Sequence, residues 1–204
     1  MTSKNPIRSA ATARNKAPIL EVLERVLPAS GTVVEIASGY GEHVVHFAAA
    51  LPGLRFVPTD ASADGRVIAA EHIAEAGLPN VEPPRELDVT WPDWPDRLGV
   101  RAAAIVCINM IHIAPIEALA GLVRGAGALL GPGAPLVLYG PYRFHGVFLA
   151  PSNAAFSEDL KSRNPAWGVR DIDDVAAAAA REGFRLEDPI PMPANNHVVV
   201  LRRT

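Results

Sequence analysis

Cysteine is almost missing from this sequence, since Cys107 is the only one among 204 residues. A single cysteine excludes a disulfide within the chain, and Cys107 sits in an apolar run. A chain of this kind does not depend on an oxidising compartment, so we expect a cytoplasmic location.

Long apolar runs and an excess of basic residues are missing as well. No apolar stretch approaches the roughly 18 residues of a membrane-spanning helix, so we expect no membrane partner. The formal net charge of −3 gives no general basic surface for a nucleic-acid backbone. A small or uncharged partner fits this chain better, with a local basic patch left open as an alternative.

Internal repeats, low-complexity linkers and a disorder-prone composition are also absent. Hydrophobic residues make up 49% and charged residues 20%, as in ordinary globular proteins. The length suits one α/β domain, and we predict a single domain over residues 1–204. The basic residues Lys4 and Arg8 are typical of a transit peptide, but we prefer a tail that leads into the first helix.

Helix-like and strand-like periodicities alternate along the chain. Apolar runs predict strands near 32–37, 54–59, 86–88, 102–108 and 136–139. The patterns around them predict helices near 12–27, 42–51, 63–76, 115–130 and 173–182. Two close prolines predict a loop at 91–95. This alternation implies a parallel sheet with right-handed crossovers.

The end of the chain departs from the alternation. Strands predicted at 184–190 and 197–201 are too close for a crossover of about a dozen residues, so they must pair antiparallel. Five strand–helix units and a hairpin outline a methyltransferase sheet rather than a dinucleotide dehydrogenase. We predict an α/β, Rossmann-like class I methyltransferase fold: a seven-stranded, mostly parallel sheet with an antiparallel C-terminal hairpin and helices on both faces. Residues 142–170 interrupt the rhythm, which predicts a substrate-side insertion.

The main local signal is the turn after the first strand, which reads Glu35–Ile36–Ala37–Ser38–Gly39–Tyr40–Gly41. Small residues let the backbone of such a turn lie close to a ligand, and the next helix presents its N-terminal amides. Asp60 lies 25 positions after Glu35, at the end of the second strand. A carboxylate in that place can accept both hydroxyls of an adenosine ribose.

These residues also have structural interpretations. Asp60 could be the N-cap of the next helix, and Glu35 could be a buried carboxylate satisfied by backbone amides. A charge on an interior strand is costly unless it is paired, which favours a place for Glu35 near a cationic amino group. Dinucleotide binding is the main competitor at the turn, but its fingerprint asks for a third glycine where Val44 stands.

Several motifs along the chain match one pattern. They are Arg14–Asn15–Lys16–x–Pro18–Ile19–Leu20, the glycine turn itself, Asn109–Met110–Ile111–His112–Ile113, Tyr139–Gly140–Pro141–Tyr142, Ser152–Asn153–Ala154–x–Phe156, Trp167–Gly168–x–Arg170–Asp171 and Met192–Pro193–Ala194–Asn195–Asn196. Together they resemble a family of small methyltransferase-like proteins without an assigned substrate. The resemblance extends over about residues 13–200. It implies an S-adenosylmethionine-binding fold and brings no characterised reaction with it.

The resemblance to methyltransferases implies how the turn would bind S-adenosylmethionine. Gly39 and Gly41 would border the methionine part of the cofactor. Glu35 would orient the methionine amino group through water, and Asp60 would hold the ribose.

Three further cofactor contacts are implied by the same resemblance. Asp88, at the end of the third strand, would accept from the adenine amino group, and the amide of Val89 would address the ring. Asn109 ends the fourth strand, where a backbone carbonyl commonly meets the methionine ammonium.

His112 and Tyr142 are the candidate catalytic residues, because they follow two strands at the edge where ligands bind in such sheets. His112 could act as a general base on a hydroxyl, amine or acid. A histidine hydrogen-bonded to backbone at a helix entry is an equal alternative. Methyl transfer needs little acid–base help when the nucleophile is already deprotonated, since alignment supplies most of what is required.

The candidate substrate-binding residues come from the first helix and the predicted insertion. They are Asn15, His145, Ser152, Asn153 and Arg170. Loops beside the cofactor edge commonly carry function, so a lid over a small substrate is expected. Arg170 could pair with a substrate carboxylate or form a salt bridge to Asp171 or Asp173. His43 and His46 have metal-like spacing, but helix packing is the better interpretation and no metal is predicted.

The expected function is therefore methyl transfer from S-adenosylmethionine to an unidentified small molecule. One alternative is a non-catalytic binding or regulatory protein on the same fold. An NAD(P)-dependent oxidoreductase is a less favoured one, because of Val44 and the terminal hairpin.

Overall fold

A computed structural model describes residues 9–204 of the chain, so the predicted tail with Lys4 and Arg8 lies outside the described residues. Seven helices are described: α1 (Ala10–Val26), α2 (Glu42–Ala50), α3 (Ala63–Ala76), α4 (Trp94–Leu98), α5 (Ile116–Leu129), α6 (Pro151–Arg163) and α7 (Ile172–Arg181). The strands are β1 (Gly31–Ile36), β2 (Leu54–Asp60), β3 (Arg85–Glu86), β4 (Ala104–Ile108), β5 (Pro135–Phe144), β6 (Val147–Phe148), β7 (Arg170–Asp171), β8 (Phe184–Leu186), β9 (Ile190–Met192) and β10 (Asn196–Arg203). None of the helices described for residues 9–204 is both long and apolar enough to cross a membrane.

The strands form one sheet in the order β3-β2-β1-β4-β5-β10-β8. The first five are parallel neighbours, whereas β10 runs antiparallel to both β5 and β8. These seven strands match the predicted arrangement, including the antiparallel end. The full sheet has ten strands rather than seven, because the short strands β6 and β7 pair with β5, and β9 pairs with β10.

Helices cover both faces of the sheet, as its alternating side chains require. In β1, Val33 packs on the face that carries α1 and α2, while Val34 packs on the face that carries α5. Both side chains are fully buried. The central strands are therefore mostly apolar, and their buried polar side chains, such as Glu35 and Thr59, lie near the strand ends.

Several local predictions differ from the structure; the strand expected at 184–190, for example, is divided into β8 and β9, and both pair with β10. The fifth strand, expected at 136–139, continues to Phe144 because β6 and β7 pair with its extension. The predicted insertion is consequently not a loop: it starts inside β5 and contains α6. The loop expected at 91–95 instead runs into α4, because Pro95 lies in the first turn, where its missing N–H costs nothing.

The contact between α4 and α5 depends on glycines in α5. Trp94 is fully buried, and its indole N–H donates to the carbonyl of Gly121 at 3.0 Å. A Cβ on Gly125 would overlap the Trp94 ring. The helix thus tolerates glycine in its interior because the indole occupies the space of the absent side chain.

We predict that Gly125→Ala lowers the free energy of unfolding by about 1–3 kcal/mol, because overlap with the indole outweighs the better helix propensity of alanine. Urea denaturation measures the change. Gly131→Ala is the matched control, since a Cβ there meets nothing within 4 Å, and it should change stability by less than about 0.5 kcal/mol. Equal effects of the two substitutions would contradict the packing argument.

Candidate functional site

The polar residues singled out from the sequence gather where the parallel strands end. The glycine turn follows β1, Asp60 ends β2 and Asn109 follows β4. These strands are neighbours in the sheet, so their carboxyl ends share one edge. Ligands bind at that edge in open α/β sheets.

The glycine turn is left-handed at three positions. Ala37, Gly39 and Gly41 have φ angles of 56°, 55° and 77°. A Cβ on Gly39 would meet nothing within 4 Å, so this residue faces open space. A Cβ on Gly41 would press on Ala69 of α3 at 3.1 Å. The need for glycine at position 41 therefore comes from helix packing, whereas position 39 borders the space that a ligand could enter.

Asp60 binds the turn directly. One carboxylate oxygen accepts from the amide of Gly39 at 2.8 Å, and the other accepts from the amide of Ser62 at 2.8 Å. The N-cap of α3 is Ser62, whose hydroxyl accepts from the amide of Gly65. The N-cap interpretation of Asp60 is thereby replaced: its carboxylate fastens the glycine turn to the end of β2.

Glu35 is buried without a partner among the described residues. It is 2% exposed, and neither carboxylate oxygen has a hydrogen bond there. Burial raises its pKa to about 8, the charge of Asp60 adds to the rise and the Ser38 hydroxyl opposes it. The alternative interpretation, satisfaction by backbone amides, is not found among the described residues, and a carboxyl group with a pKa of about 8 is mostly protonated at pH 7.

Asp88 and Val89 lie just beyond β3, which ends two residues earlier than expected, at Glu86. One oxygen of Asp88 accepts from both the amide and the hydroxyl of Thr90, at 2.8 Å each. The Val89 side chain is buried. A Cβ on Gly121 of α5 would overlap the Val89 carbonyl, so α5 lies directly against this loop.

The segment after β4 begins with a left-handed residue. Asn109 has a φ of 62°, and its amide donates to the carbonyl of Tyr139 at 2.8 Å. His112 follows one turn later and is 1% exposed. Its Nδ1 accepts from the amide of Arg170 at 3.3 Å, so the ring proton belongs on Nε2. A Cβ on Gly140 would overlap the His112 ring, which therefore needs glycine in the neighbouring strand.

Burial lowers the pKa of His112 to about 3, and the positive charge of Arg170 adds to the effect. The ring is consequently neutral at physiological pH, and its Nε2–H has no partner among the described residues. Tyr142 packs edge-on against it, with ring centroids 5.1 Å apart. The Tyr142 hydroxyl is also buried and unpartnered within the described part of the chain, and burial raises its pKa.

The Arg170 side chain follows neither of the two predictions for it, a pair with a substrate carboxylate or a salt bridge to Asp171 or Asp173. Its guanidinium donates to the carbonyls of Ile111 at 2.8 Å, Ala114 at 2.5 Å and Ala166 at 3.0 Å. Within residues 9–204, no ion pair joins it to Asp171 or Asp173. The guanidinium holds the segment after β4 against the segment that leads into β7, which accounts for its position without a substrate carboxylate.

Asn15 lies at the glycine-turn side of the edge. Its Oδ1 is 2.8 Å from Nε2 of His43, in the first turn of α2. Burial lowers the pKa of His43 to about 4, so the ring is neutral and Nε2–H can donate to Asn15. Burial raises the pKa of Tyr139, while Asn15 and the positive charge of Arg14 oppose the rise. Tyr139 is not among the residues predicted for the site, because in the sequence it fits the apolar pattern of β5.

The other candidate substrate residues are spread along the extension. Ser152 is exposed on α6. The Asn153 side-chain amide is buried and donates to the carbonyl of Asn195 at 3.0 Å, which fastens α6 to the turn before β10. His145 occupies the β5–β6 turn with its side chain 83% exposed, and Nδ1 lies 2.9 Å from Asp173 Oδ2. His145 is therefore a surface residue.

Over residues 9–204, no three histidine, cysteine or acidic side chains come together. His43 and His46 instead pack beside Phe47, with ring centroids 5.7 and 6.0 Å from it.

The tautomer of His112 leads to a test. We predict that its ring does not titrate between pH 8 and pH 4.5 and keeps its proton on Nε2, because its pKa lies near 3. Nitrogen chemical shifts of the histidine rings report both properties.

Because burial lowers the pKa of His112, this side chain makes the free energy of unfolding larger at neutral pH than at acidic pH. Its folded pKa is below the unfolded value of about 6.5, so the stabilisation is present above pH 6.5 and is lost as pH falls towards 3. Between pH 7 and pH 5 the loss is about 2 kcal/mol. The loss is measured as the change with pH in the difference between the free energies of unfolding of the wild type and His112→Gln. This difference removes the effect of Glu35, whose raised pKa makes the protein more stable as the pH falls. A His112 ring that titrates near pH 6.5 would contradict both expectations.

Solved structures of methyltransferases share this architecture. An O-methyltransferase family protein from Burkholderia thailandensis matches with a TM-score of 0.80 at 18% identity, over 95% of this chain and 57% of that one. An O-methyltransferase family 2 protein from Planctomyces limnophilus, solved with apigenin, matches with a TM-score of 0.75 at 18% identity, over 93% and 62%. Human N-acetylserotonin methyltransferase, solved with SAM, matches with a TM-score of 0.77 at 12% identity, over 95% and 52%.

These likenesses confirm the predicted Rossmann-like class I methyltransferase fold. The chain spans less than two thirds of the length of each of these three structures. One family model, described as a protein of unknown function, matches residues 7–203, nearly the whole chain. That match agrees with the resemblance noted from the motifs. The chain belongs to the DUF938 family.

Proposed function

We propose that this protein is an S-adenosylmethionine-dependent methyltransferase that acts on a small molecule. The observation that carries the proposal is the bond between the Gly39 amide and the Asp60 carboxylate at the carboxyl edge of the sheet. A carboxylate there suits a ligand that offers hydroxyl groups and carries positive charge. It is unsuited to a ligand that brings phosphate.

The same bond argues against NAD(P). A pyrophosphate needs free amides at the glycine turn and at the N-terminus of the following helix. Here the Gly39 amide is already bonded to a carboxylate, whose negative charge would repel a phosphate. The place of the third glycine is taken by Val44, which is fully buried in the helix layer. This site therefore lacks both the free amide donors and the space that NAD(P) needs.

Different residues of this edge would contact the ribose, the adenine and the methionine part of S-adenosylmethionine. Asp60 would accept from the ribose hydroxyls, and Asp88 with the amide of Val89 would address the adenine. The methionine part would lie along the glycine turn, with Glu35, Gly39, Gly41 and Asn109 around it. The cofactor would supply a methyl group on a positively charged sulfur.

The protein's own contribution would be alignment of the acceptor with that methyl group. His112 is neutral, its Nδ1 is occupied and its Nε2 carries the proton, so it suits hydrogen-bond donation rather than proton abstraction. Tyr142 would keep the ring in place by edge-on packing. A substrate that reaches the site already deprotonated, such as a carboxylate or an acidic phenol, needs no base.

Two elements would close the site over a small substrate. The first turns of α1 reach the edge through Asn15, which contacts His43 just after the glycine turn. The helix α6 reaches the same edge through Asn153, because its partner Asn195 precedes the strand that pairs with the end of β5. Ser152 is exposed beside it. A lid of this kind excludes water from the transfer step.

A non-catalytic binding protein is the second candidate, and the burial of His112 favours it. A general base must reach the proton that it abstracts, yet this ring is 1% exposed and hydrogen-bonded to the Arg170 backbone. On this proposal the chain would keep the cofactor site without the reaction. The two candidates differ in turnover and not in cofactor binding.

Titration calorimetry with S-adenosylmethionine, S-adenosylhomocysteine, NAD and NADP tests the proposal. We expect binding of the two sulfur compounds and none of the dinucleotides. NAD binding without S-adenosylhomocysteine binding would overturn it. Release of S-adenosylhomocysteine during incubation with pools of small-molecule acids and phenols, monitored by mass spectrometry, separates the enzyme from the binding protein.

We predict that Asp60→Ala weakens S-adenosylhomocysteine binding by about 1.5–3 kcal/mol, the range for hydrogen bonds that involve a charged group. Asp60→Asn keeps an acceptor for the Gly39 amide and should lose less. Asp64→Asn is the matched control, because Asp64 is exposed in the first turn of α3. An unchanged dissociation constant in folded Asp60→Ala would remove Asp60 from the site.

A further inference from the structure

The turn between β9 and β10 has a strained backbone that neighbouring side chains hold in place. Ala194 and Asn195 are both left-handed, with φ angles of 58° and 56°. Two consecutive left-handed residues other than glycine are costly, because their Cβ atoms crowd the backbone. The Asn196 side-chain amide donates to the carbonyls of Pro193 at 3.1 Å and Ala194 at 3.3 Å. The buried Asn153 amide donates to the carbonyl of Asn195 at 3.0 Å, so the turn is fixed from two sides.

This turn places the Asn195 side chain at the carboxyl edge of the sheet. Asn195 is exposed, and the hydrogen bonds that fix the turn use the side-chain amides of Asn153 and Asn196 instead of its own. The next residue in the chain, Asn196, pairs with Pro141, two residues beyond Tyr139 in β5. Left-handed residues other than glycine cluster at functional sites, where the strain positions a group for a ligand. The Asn195 amide therefore suits a contact with a ligand at this edge.

Tyr139 lies on the face of β5 that packs against α1. It belongs to the same buried cluster as Ile19 of α1, and Met192, which precedes the strained turn, packs against that cluster. Burial raises the pKa of Tyr139, and the Asn15 side chain beside its hydroxyl opposes the rise. The Oδ1 atom of Asn15 already accepts from His43, so Asn15 offers its N–H groups to the phenol oxygen. The Tyr139 hydroxyl thereby keeps its own proton for another acceptor.

The charge beside Tyr139 is positive. Arg14 is exposed near the start of α1, one residue before Asn15, and its charge acts on the Tyr139 hydroxyl. In the described part of the chain no ion pair joins Arg14 to a carboxylate, and residues 1–8 contain no Asp or Glu. Asp60 ends β2, which is separated from β5 by β1 and β4. An anionic group therefore fits this side of the edge.

We propose that Arg14, Tyr139 and Asn195 bind an anionic group of the methyl acceptor, so that the acceptor is a small acid. This inference rests on the proposed function and names its substrate class. Arg14 supplies the charge, and the Tyr139 hydroxyl and the Asn195 amide donate hydrogen bonds. Asn15 is a positioning residue, because it orients the phenol. The anionic group anchors the acceptor, and alignment is the main requirement of the transfer.

Matched acids and amides test the inference on the full chain. The probes are benzoate, phenylacetate and hexanoate, each compared with its primary amide. Ligand-observed NMR measures their binding to the protein loaded with S-adenosylhomocysteine. We expect the acids to bind about tenfold more tightly than the amides, the effect of roughly one charge-assisted hydrogen bond. Equal affinities of acids and amides, or no binding of either, would overturn the inference.

Substitutions locate the preference for acids. Arg14→Gln should abolish it, whereas Arg25→Gln is the matched control, because Arg25 is exposed in the last turn of the same helix. Asn195→Gly keeps a residue that adopts the left-handed backbone, and it should weaken acid binding while leaving the amides unchanged. Asn195→Asp puts a like charge beside the acid and should remove the preference. A preference that persists in Arg14→Gln, or an equal loss for acids and amides in Asn195→Gly, overturns the inference.

The cofactor itself carries a carboxylate, so its affinity is measured in the same variants. S-adenosylhomocysteine should bind equally well to the wild type and to Arg14→Gln. A loss for S-adenosylhomocysteine without a loss for 5′-methylthioadenosine, which lacks the amino-acid part, would assign the anion to the cofactor and overturn the acceptor site. Acid binding by a free protein that does not bind S-adenosylhomocysteine would overturn the proposed function and leave the anion site intact. Absence of both kinds of binding would overturn both.

Discussion

The candidate site depends on one hydrogen bond, between the amide of Gly39 and the carboxylate of Asp60. It connects the turn after β1 to the end of β2, and bonds between Ser38 and Thr59 reinforce the same junction. Because both strands are buried in the middle of the sheet, the turn is fixed relative to the core. The left-handed glycine then keeps its outer side open, and the carboxylate of Asp60 lies beside that space.

In the neighbouring part of the edge, His112 and Arg170 are of residue types that are common in active sites, but their contacts mainly connect two segments of the chain. His112 accepts a backbone amide, and Arg170 binds three backbone carbonyls. Both hold the segment after β4 against β7 and the segment that leads into it. Desolvation keeps the imidazole neutral, so this region supplies shape and hydrogen-bond donors rather than a proton acceptor. Such a site suits a transfer whose main requirement is alignment.

Burial has opposite consequences for the pKa values of Glu35 and His112. A carboxyl group is neutral when protonated, so burial raises the pKa of Glu35. An imidazole is neutral when deprotonated, so burial lowers the pKa of His112. Both groups are therefore mostly uncharged near pH 7, and the carboxylate that bonds to the glycine turn is that of Asp60.

Sequence alone determined the layered fold and the position of the edge. Periodicity and chain length predicted the parallel strands, the helices on both faces and the antiparallel end, because burial of apolar side chains imposes these patterns locally. Motifs at strand ends predicted Glu35, Gly39 and Asp60 near one another. Only the tertiary structure decided the extension of β5 and the partners of Arg170, His112 and Asn153. Those contacts join segments about 40–60 residues apart in the sequence. A hydrogen bond or a pKa depends on which atoms from such distant segments lie next to each other, and the neighbouring residues in the sequence do not contain that information.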